Sequence, residues 1–169
     1  ATAQLGGQAL LAQRLPGRAE FGGIVTNLAR EMELADVNIR LNTPVDRQVI
    51  DNQAPDTIIL ATGATPHIPP HFTAEDDAHV VTAWAVLNNE VNPGGSVVIA
   101  DWRSDWIGLG LAEHLAASGA KVRLAVNGLH AGELLQSYVR DTMVSRCHRL
   151  GVEIIPYARL FGADADTAY

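Results

Sequence analysis

A short buried strand is predicted within the stretch Asp56-Thr57-Ile58-Ile59-Leu60-Ala61-Thr62-Gly63-Ala64-Thr65-Pro66-His67-Ile68-Pro69-Pro70. Its first part is apolar and partly β-branched, which favours a strand over 57–62. Small residues follow, so no large side chain keeps a ligand or a second backbone away from Gly63. The prolines favour extended backbone that leads away from a sheet. We infer that this strand ends one nucleotide-binding unit and that a second unit follows it.

The composition excludes several classes of partner. The chain has 169 residues, 47% of them hydrophobic, enough for one good core or two small ones. The net charge is −7 and the twelve basic residues are scattered, which argues against nucleic acid. We expect no membrane partner, because no apolar run is long enough to span a bilayer. The single cysteine, Cys147, excludes an internal disulfide and suits a reducing cytoplasm, where we expect the protein.

The first third of the chain predicts one helix and several strands. Apolar residues recur at helical spacing between Glu20 and Ala35, which predicts an amphipathic helix there. Strict alternation over 37–41 is typical of a strand with one solvated face. Residues 43–50 are compatible with a further short strand pair.

The pattern over residues 96–126 predicts a βαβ unit, that is, parallel strands joined by a right-handed crossover. An apolar strand at 96–100 is followed by a helix at 106–118, which Gly119 ends, and by a strand at 121–126. The acidic segment around Glu75, Asp76 and Asp77 predicts a solvated loop. Weaker signals predict strands at 80–81, 152–155 and 167–169, a helical turn at 84–87 and a helix at 132–150.

The loop after the first strand of this unit departs from the pattern that a dinucleotide requires. Such a fold carries Gly-x-Gly-x-x-Gly there, so that backbone N–H groups and the helix dipole hold pyrophosphate. Here Asp101 stands where the first glycine belongs, and Asp105 is placed to cap the helix. A carboxylate repels phosphate and competes with it for the same donors. The end of the second strand, Val126-Asn127-Gly128, offers no acid for a ribose hydroxyl. Binding of NAD(P) is therefore doubtful.

Three motifs in register carry a family resemblance: Leu5-Gly6-Gly7-Gln8, Leu15-Pro16-Gly17-Arg18-Ala19-Glu20-Phe21-Gly22-Gly23, and Ala61-Thr62-Gly63-Ala64-Thr65-Pro66. Together they resemble the carboxy-terminal half of the NADH:flavin oxidoreductase family, which includes trimethylamine dehydrogenase, histamine dehydrogenase and bacterial 2,4-dienoyl-CoA reductase. Residues 81–84 and 96–126 are similar to the segments that follow in that family. The likeness is greatest to amine-demethylating members such as N-methylproline demethylases.

The resemblance implies an α/β fold with a parallel, Rossmann-like sheet of the glutathione-reductase type. Residues 1–74 are expected to form part of a split FAD/ADP-binding domain. Residues 75–169 are expected to form the inserted NAD(P)-binding-like domain, with a degenerate fingerprint. Family members also have a barrel with FMN and a 4Fe-4S cluster. No such barrel is present here, and four cluster cysteines cannot come from one, so we expect a fragment of a longer enzyme.

The resemblance also assigns binding residues in the first domain. Gln8, after Gly7, would reach a nucleotide ribose or phosphate; taken alone, it reads as a surface turn. Arg18 would pair with cofactor phosphate or ribose, or else be a solvated arginine at a helix start. Val45 would present its backbone to the adenine, although its sequence context indicates only a buried strand residue. Ala61, Thr62 and Gly63 would approach the pyrophosphate, or else only pack tightly. No catalytic residue and no metal ligand is assigned.

The leading functional hypothesis is the carboxy-terminal part of a flavin-dependent oxidoreductase that demethylates a small amine. Its expected partners are the rest of the parent enzyme, an electron-transfer protein and a second copy of the chain. A different class remains open, a non-catalytic interaction module in which Trp102 and Trp106 lie exposed or at an interface. A third hypothesis is a self-contained NAD(P)H-binding reductase domain.

Overall fold

A computed structural model describes residues 2–169. The chain divides into two compact units, Ala1–Thr65 (unit 1) and Pro66–Tyr169 (unit 2). The predicted α/β class with parallel strands is confirmed.

Unit 1 is helical in its described residues. The predicted helix after Arg18 is confirmed, and two shorter helices flank it. The helices are α1 (Gln8–Ala12), α2 (Glu20–Leu34) and α3 (Arg47–Gln53). The turn before α1 lies against α2: a Cβ on Gly6 would come within 2.8 Å of Val25 Cγ2 and 2.9 Å of Leu10 Cγ. Glycine at position 6 therefore allows this close approach.

The strands predicted in unit 1 are wrong. Residues 37–41 and 57–62 form neither helix nor strand. Residues 47–53 form α3, because the Asp46 carboxylate accepts the N–H of Val49 at 2.9 Å and so caps a helix. Alternation and β-branching favour a strand only where another strand satisfies its backbone groups, and no described residue pairs with 57–62.

The apolar side chains of unit 1 are largely exposed. Ile58, Ile59 and Leu60, predicted to be buried, are 51%, 86% and 83% exposed. Leu15 is the one large hydrophobic residue of the described part of unit 1 that is fully enclosed, at 3% exposure. Unit 1 thus presents an extensive apolar surface.

The elements of unit 2 are β1 (Thr73–Ala74), α4 (Ala83–Leu87), β2 (Ser96–Asp101), α5 (Trp106–Ala117), β3 (Lys121–Val126), α6 (Ser137–Arg149), β4 (Glu153–Ile155) and β5 (Gly162–Ala163). The unit is built on a parallel three-stranded sheet in the order β2-β3-β4. The predicted βαβ unit is confirmed: strands β2 and β3 pair from Ser96↔Lys121 to Asp101↔Val126, with α5 as the crossover. Leucine and valine side chains of α5 and β3 form the core, with Cys147 of α6.

Some boundaries in unit 2 differ from the prediction. Helix α6 begins at Ser137 and not at Gly132, because Gly132 has a φ of 72° and the chain turns there. Residues 80–81 form no strand, and residues 167–169 contribute only an isolated bridge between Ala168 and Ala163. The strand predicted at 152–155 is confirmed as β4.

Strands β1 and β5 pair in parallel as a separate two-stranded sheet. They bring the start of unit 2 beside its end, with Thr73 opposite Gly162. A Cβ on Gly162 would lie 2.7 Å from the carbonyl oxygen of Thr73, so this pairing requires glycine.

Candidate functional site

Unit 1 carries an open glycine turn before α1. Gly6 and Gly7 have φ values of 111° and 49°, which side-chain-bearing residues rarely adopt. The carbonyl oxygen of Gly6 accepts the N–H of Ala9 at 3.0 Å, which fixes the turn. A Cβ on Gly7 would meet no described atom within 4 Å. The backbone of Gly7 is therefore accessible to a ligand.

Two of the predicted binding motifs meet at this turn. The amide nitrogen Nε2 of Gln8 lies 3.5 Å from the position of a Cβ on Gly63, so the two residues, 55 positions apart, are neighbours. Gly63 has a φ of 76° and forms a second glycine turn. Ala61, Thr62 and Gly63 are exposed, and both the contact with a pyrophosphate and the alternative of tight packing stay predictions. The amide of Gln8 and the backbone at Gly63 thus face one accessible region.

Arg18 and Val45 are the other two predicted binding residues of unit 1. Arg18 is mostly buried, with its side chain 25% exposed, and its Nη1 lies 3.8 Å from Glu20 Oε1. Val45 is 70% exposed and precedes α3, so the interpretation as a buried strand residue is wrong. Its exposed backbone is compatible with a contact to a ligand, which stays a prediction.

In unit 2, Asp101 fills the loop where a fingerprint glycine would stand. Its Oδ1 accepts the N–H groups of Arg103 at 3.0 Å and of Ser104 at 2.9 Å. The residue is only 5% exposed, and its Oδ2 has no hydrogen-bond partner among the described residues. Burial raises the pKa of this carboxyl, and nearby Asp105 adds to the effect, while the two backbone N–H groups lower it.

The predicted cap of α5 is confirmed. Asp105 Oδ1 accepts the N–H of Ile107 at 2.8 Å, and its Oδ2 accepts Arg103 Nε at 2.7 Å. The carboxylates of Asp101 and Asp105 therefore accept hydrogen bonds from donors of their own loop.

The sequence did not identify a third acid, Glu133, in the loop between β3 and α6. Its Oε1 accepts the N–H of Leu129 at 2.9 Å, and its carboxylate covers Gly128 in the space of a Cβ. The glycines at 128 and 132 were the available signal, because they permit a loop that folds back on itself. An acid thus reaches the end of β3 from within its own loop.

The two indoles next to the α5 loop are half-buried. Trp102 makes edge contacts with His71 and Phe72, at centroid distances of 6.1 and 6.3 Å. His71 also lies 5.7 Å from Phe161. Neither tryptophan is fully exposed or fully enclosed, so the interaction-module hypothesis stays a prediction.

Cys147 is a core thiol, as predicted. It is fully buried, and its Sγ donates to the carbonyl oxygen of Leu109 at 3.5 Å. Burial, with a smaller effect of Glu113, raises the pKa of the thiol to about 11. Within residues 2–169 no group of three His, Cys, Asp or Glu is placed to hold a metal ion. No helix in that range combines the length and apolarity that crossing a membrane requires.

Comparison with known proteins places the chain among oxidoreductases. It is 33% identical over 134 residues to N,N-dimethylglycine/sarcosine dehydrogenase of Chromohalobacter salexigens, covering 76% of this chain and 19% of that protein. It is 33% identical over 119 residues to a probable N-methylproline demethylase of Rhizobium meliloti, covering 70% and 17%. It is 28% identical over 162 residues to NADH oxidase of Thermoanaerobacter brockii, covering 90% and 25%. No protein-family model matches the sequence.

Solved structures agree with these relatives in fold. A 2-naphthoyl-CoA reductase complex matches 99% of this chain and 25% of its own, with a TM-score of 0.84 and 18% identity. Histamine dehydrogenase from Rhizobium sp. 4-9 matches 99% of this chain and 28% of its own, with a TM-score of 0.82 and 19% identity.

The chain is therefore homologous to a segment of flavoenzyme oxidoreductases, as the resemblance implied. In fold, it matches the corresponding segments of a 2-naphthoyl-CoA reductase and of histamine dehydrogenase. The chain spans about a fifth of the length of the first two relatives, 19% and 17%.

Proposed function

We propose that the chain is the carboxy-terminal part of a flavin-dependent enzyme that oxidatively demethylates a secondary or tertiary amine. Unit 1 would contribute to a site for FAD or ADP and would not itself be catalytic. The single observation that carries the proposed nucleotide site is the meeting of Gln8 and Gly63 at two open glycine turns. The activities of two relatives, an N,N-dimethylglycine/sarcosine dehydrogenase and a probable N-methylproline demethylase, support an amine as the substrate class.

The residues of unit 1 fit the ADP part of such a cofactor in their chemistry. Backbone without side chains at Gly7 and Gly63 allows phosphate to approach closely, and an amide such as that of Gln8 can bind a ribose hydroxyl or a phosphate oxygen. An arginine offers several donors in a plane, which suits phosphate. The residues that would hold the nucleotide are Gly7, Gln8, Arg18, Val45, Ala61, Thr62 and Gly63.

The rest of the parent enzyme would cover the apolar surface of unit 1. Ile59 and Leu60 are 86% and 83% exposed, which is unfavourable in water and typical of a surface that packs against protein. FMN and a 4Fe-4S cluster would lie in that remaining part. An electron-transfer protein, a second copy of the chain and a cytoplasmic location belong to the same proposal.

The coding sequence on both sides of this segment tests the parent enzyme. We expect an upstream glycine fingerprint, preceded by a cysteine-bearing barrel. The full-length polypeptide should reduce a dye in an amine-dependent manner, whereas the 169-residue chain alone should not. Dye reduction by the chain alone would refute the non-catalytic role.

Nucleotide binding is tested separately, by titrating ADP into the full-length enzyme freed of its nucleotide. Gln8→Ala should weaken ADP binding about threefold to tenfold, the effect of one lost hydrogen bond. Gln48→Ala removes an exposed amide from α3 and serves as the matched control, with unchanged affinity. Equal affinities of the Gln8→Ala and wild-type proteins would remove Gln8 from the site.

A further inference from the structure

We propose that unit 2 contains an anion-binding cradle, at the carboxyl ends of β2 and β3, that is occupied by its own Asp101 and Glu133 carboxylates. The ligand class is phosphate or pyrophosphate, which the cradle would take only when both acids are replaced. We define the cradle as residues 101–108 and 127–134. This inference does not depend on the proposed function of unit 1.

The first half of the cradle is the turn after β2. The N–H groups of Arg103 and Ser104 converge on one oxygen of Asp101, at 3.0 and 2.9 Å. Ser104 has a φ of 53°, a left-handed conformation that a side-chain-bearing residue seldom adopts. Successive N–H groups that point to one place in such a turn form a concave anion site. The anion that occupies it is a side chain of the same loop.

The second oxygen of Asp101 enters the start of α5. Oδ2 lies 2.5 Å from the position of a Cβ on Gly108, in the first turn of this twelve-residue helix. It is buried without a hydrogen-bond partner in the described residues. A helix N-terminus favours negative charge, and in a dinucleotide fold the pyrophosphate takes this place. Asp101 thus holds a buried negative group where the phosphate would bind.

The other half of the cradle is the loop after β3. The Glu133 carboxylate takes the N–H of Leu129 at 2.9 Å and covers Gly128. This loop follows the strand end at which a dinucleotide fold normally binds the ribose or its 2′-phosphate. The carboxylate of Glu133, seven residues after the last residue of β3, occupies that place here.

The two halves are joined by backbone contacts. The N–H of Leu134 donates to the carbonyl oxygen of Ser104 at 3.0 Å, and the N–H of Asn127 donates to that of Asp101 at 3.3 Å. Asp101 and Val126 are direct neighbours in the sheet. Both carboxylates therefore belong to one continuous surface, and an incoming phosphate would meet repulsion from both. The cation of this turn, Arg103, is bound by Asp105 at 2.7 Å.

Inorganic pyrophosphate is the probe, titrated into the ¹⁵N-labelled 169-residue chain and followed at the backbone amides of Arg103, Ser104 and Leu129. We expect no saturable shift of these three amides in the wild-type chain. The double variant Asp101→Ser, Glu133→Ala removes both charges and keeps a small hydroxyl at position 101. It should bind pyrophosphate at the same amides at least about tenfold more tightly than the wild type.

A matched control separates the cradle from net charge. Asp141→Ser with Glu90→Ala removes two exposed carboxylates of unit 2 and changes the net charge equally. This control should bind like the wild type. If the double variant does not fold, Asp101→Asn with Glu133→Ala provides a milder change, since it removes both charges and keeps an acceptor for the N–H groups of Arg103 and Ser104. It should then show a saturable shift at Leu129.

Two outcomes would overturn the proposal. One is saturable binding of pyrophosphate to the wild-type amides, because the carboxylates would then leave the cradle open. The other is a folded variant that binds no better than the control. The proposed function of unit 1 is tested by a different measurement, the binding of ADP at Gly7, Gln8 and Gly63, so the two failures are distinguishable.

Discussion

The carboxyl group of Asp101 occupies the space that any side chain at position 108 would need. A Cβ on Gly108 would lie 2.5 Å from Asp101 Oδ2 and 2.6 Å from its Cγ. These distances are shorter than any non-bonded contact that packed protein atoms sustain. The acid at the end of β2 fits because the facing turn of α5 has no side chain at Gly108.

Gly108→Ala should therefore lower the free energy of unfolding of unit 2. We expect a loss of about 1–3 kcal/mol from overpacking, although alanine is the better helix former. Urea unfolding measures it, followed by the tryptophan fluorescence of unit 2 and by far-ultraviolet circular dichroism, which also reports on the helices of unit 1. Gly23→Ala in α2, where a Cβ meets nothing within 4 Å, is the matched control and should not destabilise its helix. Addition of Asp101→Ser to Gly108→Ala should restore part of the loss; full additivity of the two changes would contradict the contact.

Asp105→Ala should destabilise α5 through loss of its cap. The carboxylate accepts the N–H of Ile107 at 2.8 Å, and removal of such a cap costs about 0.5–2 kcal/mol. Asp105→Asn keeps an acceptor for that N–H but loses the ion pair with Arg103, whose side chain is 77% exposed. Because exposed ion pairs contribute little, the asparagine variant should stay close to wild type in urea unfolding. Equal losses in both variants would assign the effect to the ion pair.

The sequence predicted unit 2 better than unit 1 for a physical reason. Over 96–126 the strand pattern, the Asp105 cap and the Gly119 stop all indicate the same βαβ unit, and each strand finds its partner inside that unit. The patterns over 37–41 and 57–62 contain no information on a partner, and no described strand supplies one.

The candidate sites show the same limit. Motif order suggested that Gln8 and Gly63 serve one ligand, and the structure makes them neighbours. Glu133 could not be found by spacing from the strand end, because its carboxylate returns to Gly128 through a turn that depends on the fold of the loop. The sequence immediately after β3 therefore predicted no acid at the end of that strand, whereas the structure places the carboxylate of Glu133 there.

The raised pKa of Asp101 predicts a stability that falls as the pH rises. Burial disfavours the charged carboxylate in the folded state, so the folded protein holds its proton to higher pH than the unfolded chain, whose ordinary value is 3.8. Ionisation of this carboxyl therefore lowers the free energy of unfolding progressively as the pH rises from 3.8 through the pKa of the folded state. Urea unfolding at several pH values measures the free energy of unfolding of the wild type and of Asp101→Asn. Over this interval the value for the wild type should fall relative to that of the variant. A carbon NMR titration in which Asp101 ionises at or below 3.8 would contradict the prediction.

Cys147 should be unreactive in the folded protein. Its thiol is fully buried between α5 and α6, and its pKa is raised from 9.0 to about 11, so almost no thiolate is present near pH 8. A disulfide reagent should label the urea-unfolded chain within minutes and the native chain only at the rate of unfolding.

The folded state also favours the neutral thiol of Cys147, which makes the stability depend on pH. Relative to Cys147→Ser, the free energy of unfolding should be constant below pH 9.0 and should decline by roughly 1–3 kcal/mol as the pH rises to about 11. Rapid labelling of the native chain would show that the thiol is accessible. The same pH dependence of stability in the wild type and in Cys147→Ser would show that burial does not control the ionisation of the thiol.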